Sequence, residues 1–194
     1  MNNRGFTLVE LVVGIVVLAI AMMIMNTMLI SQSKDALEPL YRLRASQLGQ
    51  SIMQNIVSRA YDEKSDHNGG LYRCGELWQN GPLWFDGNHW LSTSPPQNVT
   101  CSSQLGIDTD EVAGEHQNFN DVDDFITDLS VNNGFVPAVN YGDVLGSHLA
   151  SQYNNYSVKI EVVEVLANNN KKVAVIIKTP SSEEIRFSAL KGNY

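Results

Sequence analysis

The chain has little of what most catalytic and nucleic-acid sites are built from. It carries two cysteines, Cys74 and Cys101, and four scattered histidines, His67, His89, His116 and His148. Zinc sites need three or four ligands at short spacings, so this pattern excludes a zinc tetrad. Asp143 with His148, or His116 with Glu115, can be drawn as acid–base pairs. No nucleophile motif or glycine-rich phosphate loop accompanies either pair, and no enzymatic activity is expected. Basic residues number 13 against 21 acidic ones, for a net charge of −8. No basic cluster is present to face a phosphate backbone, which argues against nucleic acid as a partner. Internal repeats and low-complexity tracts are also missing.

What the chain does have is one long apolar run near its start. Leu11 to Met25 contains no charged and no hydrogen-bonding side chain. Extended to Phe6 and Ile30, the run is about 25 residues and roughly 37 Å as a helix, enough to cross a bilayer. Its one charge is Glu10. A carboxylate in a membrane-length helix is costly and marks a functional position. Met1 to Gly5 is short and polar and carries Arg4, which favours a cytoplasmic start with the remaining chain outside. No signal-peptidase pattern is clear after the run, and the turn-prone Gly5 precedes it. The helix is therefore expected to stay in the mature protein.

With an export signal at the N-terminus, an even cysteine count points to a Cys74–Cys101 disulfide in an oxidising compartment. The closed loop would contribute about 3.5 kcal/mol on the loop-entropy model.

The helical period continues from Ser31 to about Tyr61. Leu37, Tyr41, Ala45, Leu48, Ile52, Ile56 and Ala60 recur at spacings of three and four and form one apolar stripe. Pro39 is expected to interrupt or kink this segment. Residues 62 to 120 are rich in turn signals such as Asn80-Gly81-Pro82 and Asp86-Gly87-Asn88. A strand is expected to open between Asp124 and Val131. Tyr156 to Val165, Lys172 to Thr179 and Glu184 to Leu190 read as three antiparallel strands joined by hairpins at Asn168-Asn169-Asn170 and Pro180-Ser181-Ser182. In the first of them Val158, Ile160 and Val162 form an apolar face that the helix stripe can cover. The expected fold class is α+β, a long N-terminal helix packed on a C-terminal antiparallel sheet.

Gly5-Phe6-Thr7-Leu8-Val9-Glu10-Leu11, followed by an unbroken apolar helix, resembles the processing and methylation signature of type IV pilins and type II secretion pseudopilins. That resemblance implies a pilin fold divided into a leader (1–5), a transmembrane and assembly helix (6–30), its amphipathic continuation (31–61) and a globular domain (62–194). It implies cleavage between Gly5 and Phe6 by a membrane-embedded prepilin peptidase, with N-methylation of Phe6 by the same enzyme. Glu10 is the fifth residue after the cut and would pair with the Phe6 amine of a neighbouring subunit, setting register during assembly. The implied partners are other pilin subunits, the peptidase and an inner-membrane assembly platform. The implied location is the bacterial inner membrane with the C-terminal domain in the periplasm, and later an extracellular pilus. Where many pilins carry a helix-breaking proline in the membrane half, this chain has Thr27.

Asn118 to Phe125 and Glu184 to Leu190 are similar to D-type minor pilins of the mannose-sensitive haemagglutinin (MSHA) pilus. The resemblance implies an initiation or tip subunit in pilus biogenesis. A minor pseudopilin of a secretion system is the alternative, and a tip adhesin for glycans or surfaces is an alternative of another class. Trp78, Trp84 and Trp90 suit the adhesin reading if exposed, or an ordinary core if buried. No cofactor is expected, with one opening. Asp121, Asp123 and Asp124, beside Asn118 and Asn120, crowd oxygens as calcium ligands do, but the glycine and terminal glutamate of an EF-hand loop are missing. The competing expectation is an acidic turn that exposes its charge.

Overall fold

The computed structural model describes residues 7–65, 73–75, 84–85, 90–91, 100–146, 151–167 and 169–193, with backbone alone for 29–35, 84–85 and 90–91. The chain divides into two compact units, Met1–Tyr41 and Arg42–Tyr194. One helix, α1 (Leu8–Val57), runs through that boundary. Within the first unit, Leu8–Met28 is long and apolar enough to cross a membrane, and none of it is buried. Thr27 does not break the helix; its hydroxyl donates back to the Ile24 carbonyl at 2.8 Å. The expected break at Pro39 does not occur either, since Pro39 lies inside α1. Ala36, Leu37, Glu38 and Leu40 around it are strong helix formers, and the exposed site leaves water to take the carbonyl that loses its donor.

In the second unit the apolar stripe is buried from Ala45 onward. Ala45, Leu48, Ile52 and Ile56 are at most 1% exposed, whereas Leu37 is 46% exposed. The helix ends at Val57, four residues before the expected Tyr61. Ser58 ends it by donating its hydroxyl to the Asn55 carbonyl at 2.6 Å, and Arg59 N–H closes a tighter turn onto Ile56 at 3.0 Å.

The stripe packs on a four-stranded antiparallel sheet of order β3-β4-β5-β6, made by Val136–Pro137, Ser157–Leu166, Asn170–Lys178 and Glu184–Gly192. The register sets Ile160 against Val175 and Val175 against Phe187, so these three share the face toward α1. Gly49 sits over Phe187, where an added Cβ would overlap the ring. The other face is covered by charged stems. Glu161 pairs with Lys159 at 2.9 Å and with Arg186 at 3.1 Å, above buried Ala174 and Ile176. A separate pair of two-residue strands, β1 (Trp84–Phe85) and β2 (Trp90–Leu91), sets Phe85 against Trp90.

The strand expected within Asp124–Val131 is absent; those residues form turns, with Val131 N–H bonded to the Asp128 carbonyl at 3.3 Å. Thr127 explains the difference. Its N–H and hydroxyl both donate to the Ile160 carbonyl, and its hydroxyl oxygen accepts Ile160 N–H. One side chain thus satisfies the β4 edge beyond β3, where a strand would otherwise pair.

Candidate functional site

Two places in the chain concentrate function-bearing groups. The first is the start of α1. Gly5 and Phe6 lie outside the described residues. Thr7 precedes the helix, and its hydroxyl oxygen accepts Glu10 N–H at 3.3 Å. Thr7-Leu8-Val9-Glu10 therefore carries one half of a capping box, a signal present in the sequence but not read from it. Glu10 sits in the first turn of the helix with its side chain exposed. Gly14, one turn on, leaves a notch bounded by Glu10, Leu11, Ile15 and Leu18.

The second place is a buried charged hub where the end of α1, the disulfide, the acidic loop and β5 meet. Its centre is Lys171, 2% exposed. Lys171 is in the same alternation phase as Val173, Val175 and Ile177, so the sheet aims it inward with them. Its Nζ donates to the Tyr61 carbonyl at 2.7 Å and to Asp123 Oδ1, lies 3.5 Å from Asp62 Oδ2, and stands 4.6 Å from the centre of the Tyr61 ring. Burial pulls the ammonium pKa down, but the Asp123, Asp121 and Asp62 carboxylates outweigh it and leave Lys171 above its usual value.

Asp62 joins the hub to the disulfide. Its carboxylate accepts Ser102 N–H at 3.0 and 3.1 Å, the Ser102 hydroxyl at 3.3 Å and Lys64 N–H at 3.1 Å. Ser102 follows Cys101, which is bonded to Cys74 with the two Cα atoms 4.7 Å apart. Cys74 is fully buried. Its N–H donates to Ser65 Oγ at 3.2 Å, and its carbonyl accepts Asn193 Nδ2 at 2.9 Å. The disulfide thus ties the residues after α1 to the last strand.

The three aspartates considered for calcium are each 1% exposed, so the expectation of an exposed acidic turn fails. Their oxygens are largely committed inside the protein. Asp123 serves Lys171, Asp121 Oδ1 accepts Asp123 N–H at 2.8 Å, and Asp124 Oδ2 accepts the N–H groups of Asn120 and Asp121. The three are not grouped with one another at ligand spacing among the described residues. Among the described residues, the all-carboxylate grouping with ligand spacing is Glu63, Asp108 and Asp121, one oxygen of each lying within 4.8 Å of the others. Asp121 is the residue that this grouping shares with the sequence expectation.

Crowding makes these acids weak. Burial, and then the charges of Asp123 and Asp124, push Asp121 up to about 10. Burial raises Asp124 to about 8 and Glu63 to about 7, and it lifts Asp108 as well. Among the described residues, Glu63 Oε2, Asn120 Oδ1 and Asp124 Oδ1 find no hydrogen-bond partner and are buried.

The acid–base pairs drawn from the sequence rearrange. His116 Nδ1 meets Asp143 Oδ1 at 3.1 Å, and Asp143 Oδ2 accepts Gln117 N–H at 2.9 Å. The imidazole stacks on Tyr141 at 4.2 Å and meets the edge of Phe119 at 5.2 Å, a packed anchor for the acidic loop. His148 and Trp78 lie outside the described residues, as do the side chains of Trp84 and Trp90.

No curated protein and no solved structure matches the chain. One family model does match: residues 1–26 fit the prokaryotic N-terminal methylation motif.

Proposed function

We propose that this chain is a minor type IV pilin of the MSHA type, acting in pilus biogenesis as an initiation or tip subunit. The observation that carries the reading is the N-terminal methylation motif over residues 1–26, continuous with a single membrane-length helix. The α+β unit that follows supports it. On this reading, prepilin peptidase cuts between Gly5 and Phe6 and methylates the Phe6 amine. The processed chain waits in the inner membrane with its globular domain in the periplasm. An assembly platform then extracts it into the fibre.

Glu10 acts as the register group. A carboxylate moved into the apolar interior of a helix bundle needs a cation, and the amine of a neighbouring Phe6 supplies one only at the correct stagger. The notch at Gly14 offers that terminus room beside Glu10. A minor pseudopilin of a secretion system uses the same chemistry and is the second reading. Deletion of the gene, with fibre counting and immunogold labelling, separates them. Loss of surface pili and gold at fibre ends support the pilin. Normal pili with a secretion defect support the pseudopilin.

A further inference from the structure

We propose that Lys171 and Asp123 form an intramolecular isopeptide bond, with Asp121 as the acid that promotes it. The reacting groups are already in contact: Lys171 Nζ donates to Asp123 Oδ1, so Cγ of Asp123 is one bond from the atom it touches. The two side chains are 3% and 2% exposed, which keeps out the water that would compete with the amine. The side chain of Asp121, 1% exposed, is two residues from Asp123, and its Oδ1 accepts the Asp123 N–H at 2.8 Å. Burial beside two other aspartates holds Asp121 protonated at neutral pH. An amine, a carboxyl group and a neutral acid in a dry site are the complete set for direct amide formation.

The step balances without a co-reactant. A proton passes along the hydrogen bond from the ammonium to the Asp123 carboxylate, giving amine and carboxylic acid. The Nζ lone pair adds to Cγ and forms the C–N bond. Asp121 gives its proton to the departing hydroxyl, the C–O bond breaks and one water leaves. The nitrogen returns a proton to Asp121. Nothing is oxidised or reduced.

The surroundings tolerate the loss of the ammonium charge. Asp62 keeps two N–H donors and the Ser102 hydroxyl, and the amide N–H can still serve the Tyr61 carbonyl. The bond would close a loop across 48 residues and weld the acidic loop to β5.

Intact-mass measurement of the purified full-length chain tests this, once N-terminal sequencing has fixed where the chain starts. The expected mass is one water below that of the sequence with its disulfide, and proteolysis should yield one branched peptide holding both Lys171 and Asp123. Lys171→Arg and Asp121→Asn should show the full mass, and Asp121→Glu should regain the loss. A wild-type chain at full mass, with the two residues on separate peptides, overturns the bond and leaves an ion pair. A branched peptide persisting in Asp121→Asn overturns the assignment of the acid. If Asp121→Asn does not accumulate, a full mass in Asp121→Glu overturns it instead.

Discussion

Lys171 and Lys191 stand directly opposite each other in β5 and β6; Lys191 donates to the last residue of α1 and Lys171 to the turn that follows it. Lys171 reaches the Tyr61 carbonyl at 2.7 Å and Lys191 the Val57 carbonyl at 3.1 Å. Lys191 thus meets the negative end of the helix, where the last carbonyls lack helical donors. Their environments differ. Burial lowers the Lys191 pKa, whereas Lys171 is held charged by the aspartates around it. Measured against the ion-paired hub, before any covalent bond forms, Lys171→Met should cost about 3–5 kcal/mol, because Asp62 and Asp123 stay buried without a cation. Lys191→Met should cost about 1 kcal/mol, the worth of one hydrogen bond. Urea denaturation of the two variants checks the difference, and equal losses would contradict it.

Gly49 and Phe187 give a packing test. A side chain at 49 would overlap the Phe187 ring, which itself lies over Val175. Gly49→Leu should destabilise the chain by about 1–3 kcal/mol through overpacking. Gly49→Ala gains about 1 kcal/mol of helix propensity but must displace the ring. It should accordingly be more favourable in a Phe187→Leu background than in the wild type, by a coupling of about 0.5–3 kcal/mol. Additive effects would show that the helix does not approach β6 there.

The acidic loop makes stability fall as pH rises. Glu63 moves from 4.5 to about 7 on folding and Asp124 from 3.8 to about 8. In those windows the folded chain holds protons that the unfolded chain has released, so stability is fullest below the unfolded values and is lost through the folded ones. The melting temperature should drop between about pH 5 and 8. Glu63→Gln and Asp124→Asn should each flatten the slope. A melting temperature that rises over this range would contradict the buried, protonated state.

Reduction of Cys74–Cys101 should lower stability by about 3.5 kcal/mol, from the loop entropy of a 27-residue separation. It should also release Asn193, which bonds the Cys74 carbonyl, so hydrogen exchange at the end of β6 should quicken on reduction. Unchanged protection there would contradict the coupling.

The sequence carried the apolar run, the stripe from Ala45 to Ala60 and the three long strands, because each is written in a local period. It also carried the helix-on-sheet pairing, since two complementary apolar faces leave few other ways to bury them. The hub was harder to read. Lys171 sat just outside the strand start read at Lys172, although its alternation with Val173 and Val175 marks it as inward-facing. The burial of Asp121, Asp123 and Asp124 depends on a lysine 48 residues beyond Asp123, which no local pattern shows. Thr127 looked like strand because its neighbours are apolar, but its hydroxyl takes over the hydrogen bonds of the β4 edge.

The N-terminus of the protein recovered from its own cells tests the pilin reading most directly. Mass spectrometry of the first peptide should find a chain beginning at N-methylated Phe6, and a strain lacking prepilin peptidase should retain Met1 to Gly5. A mature chain that starts at Met1 in normal cells, or one cut beyond the apolar helix, would contradict it.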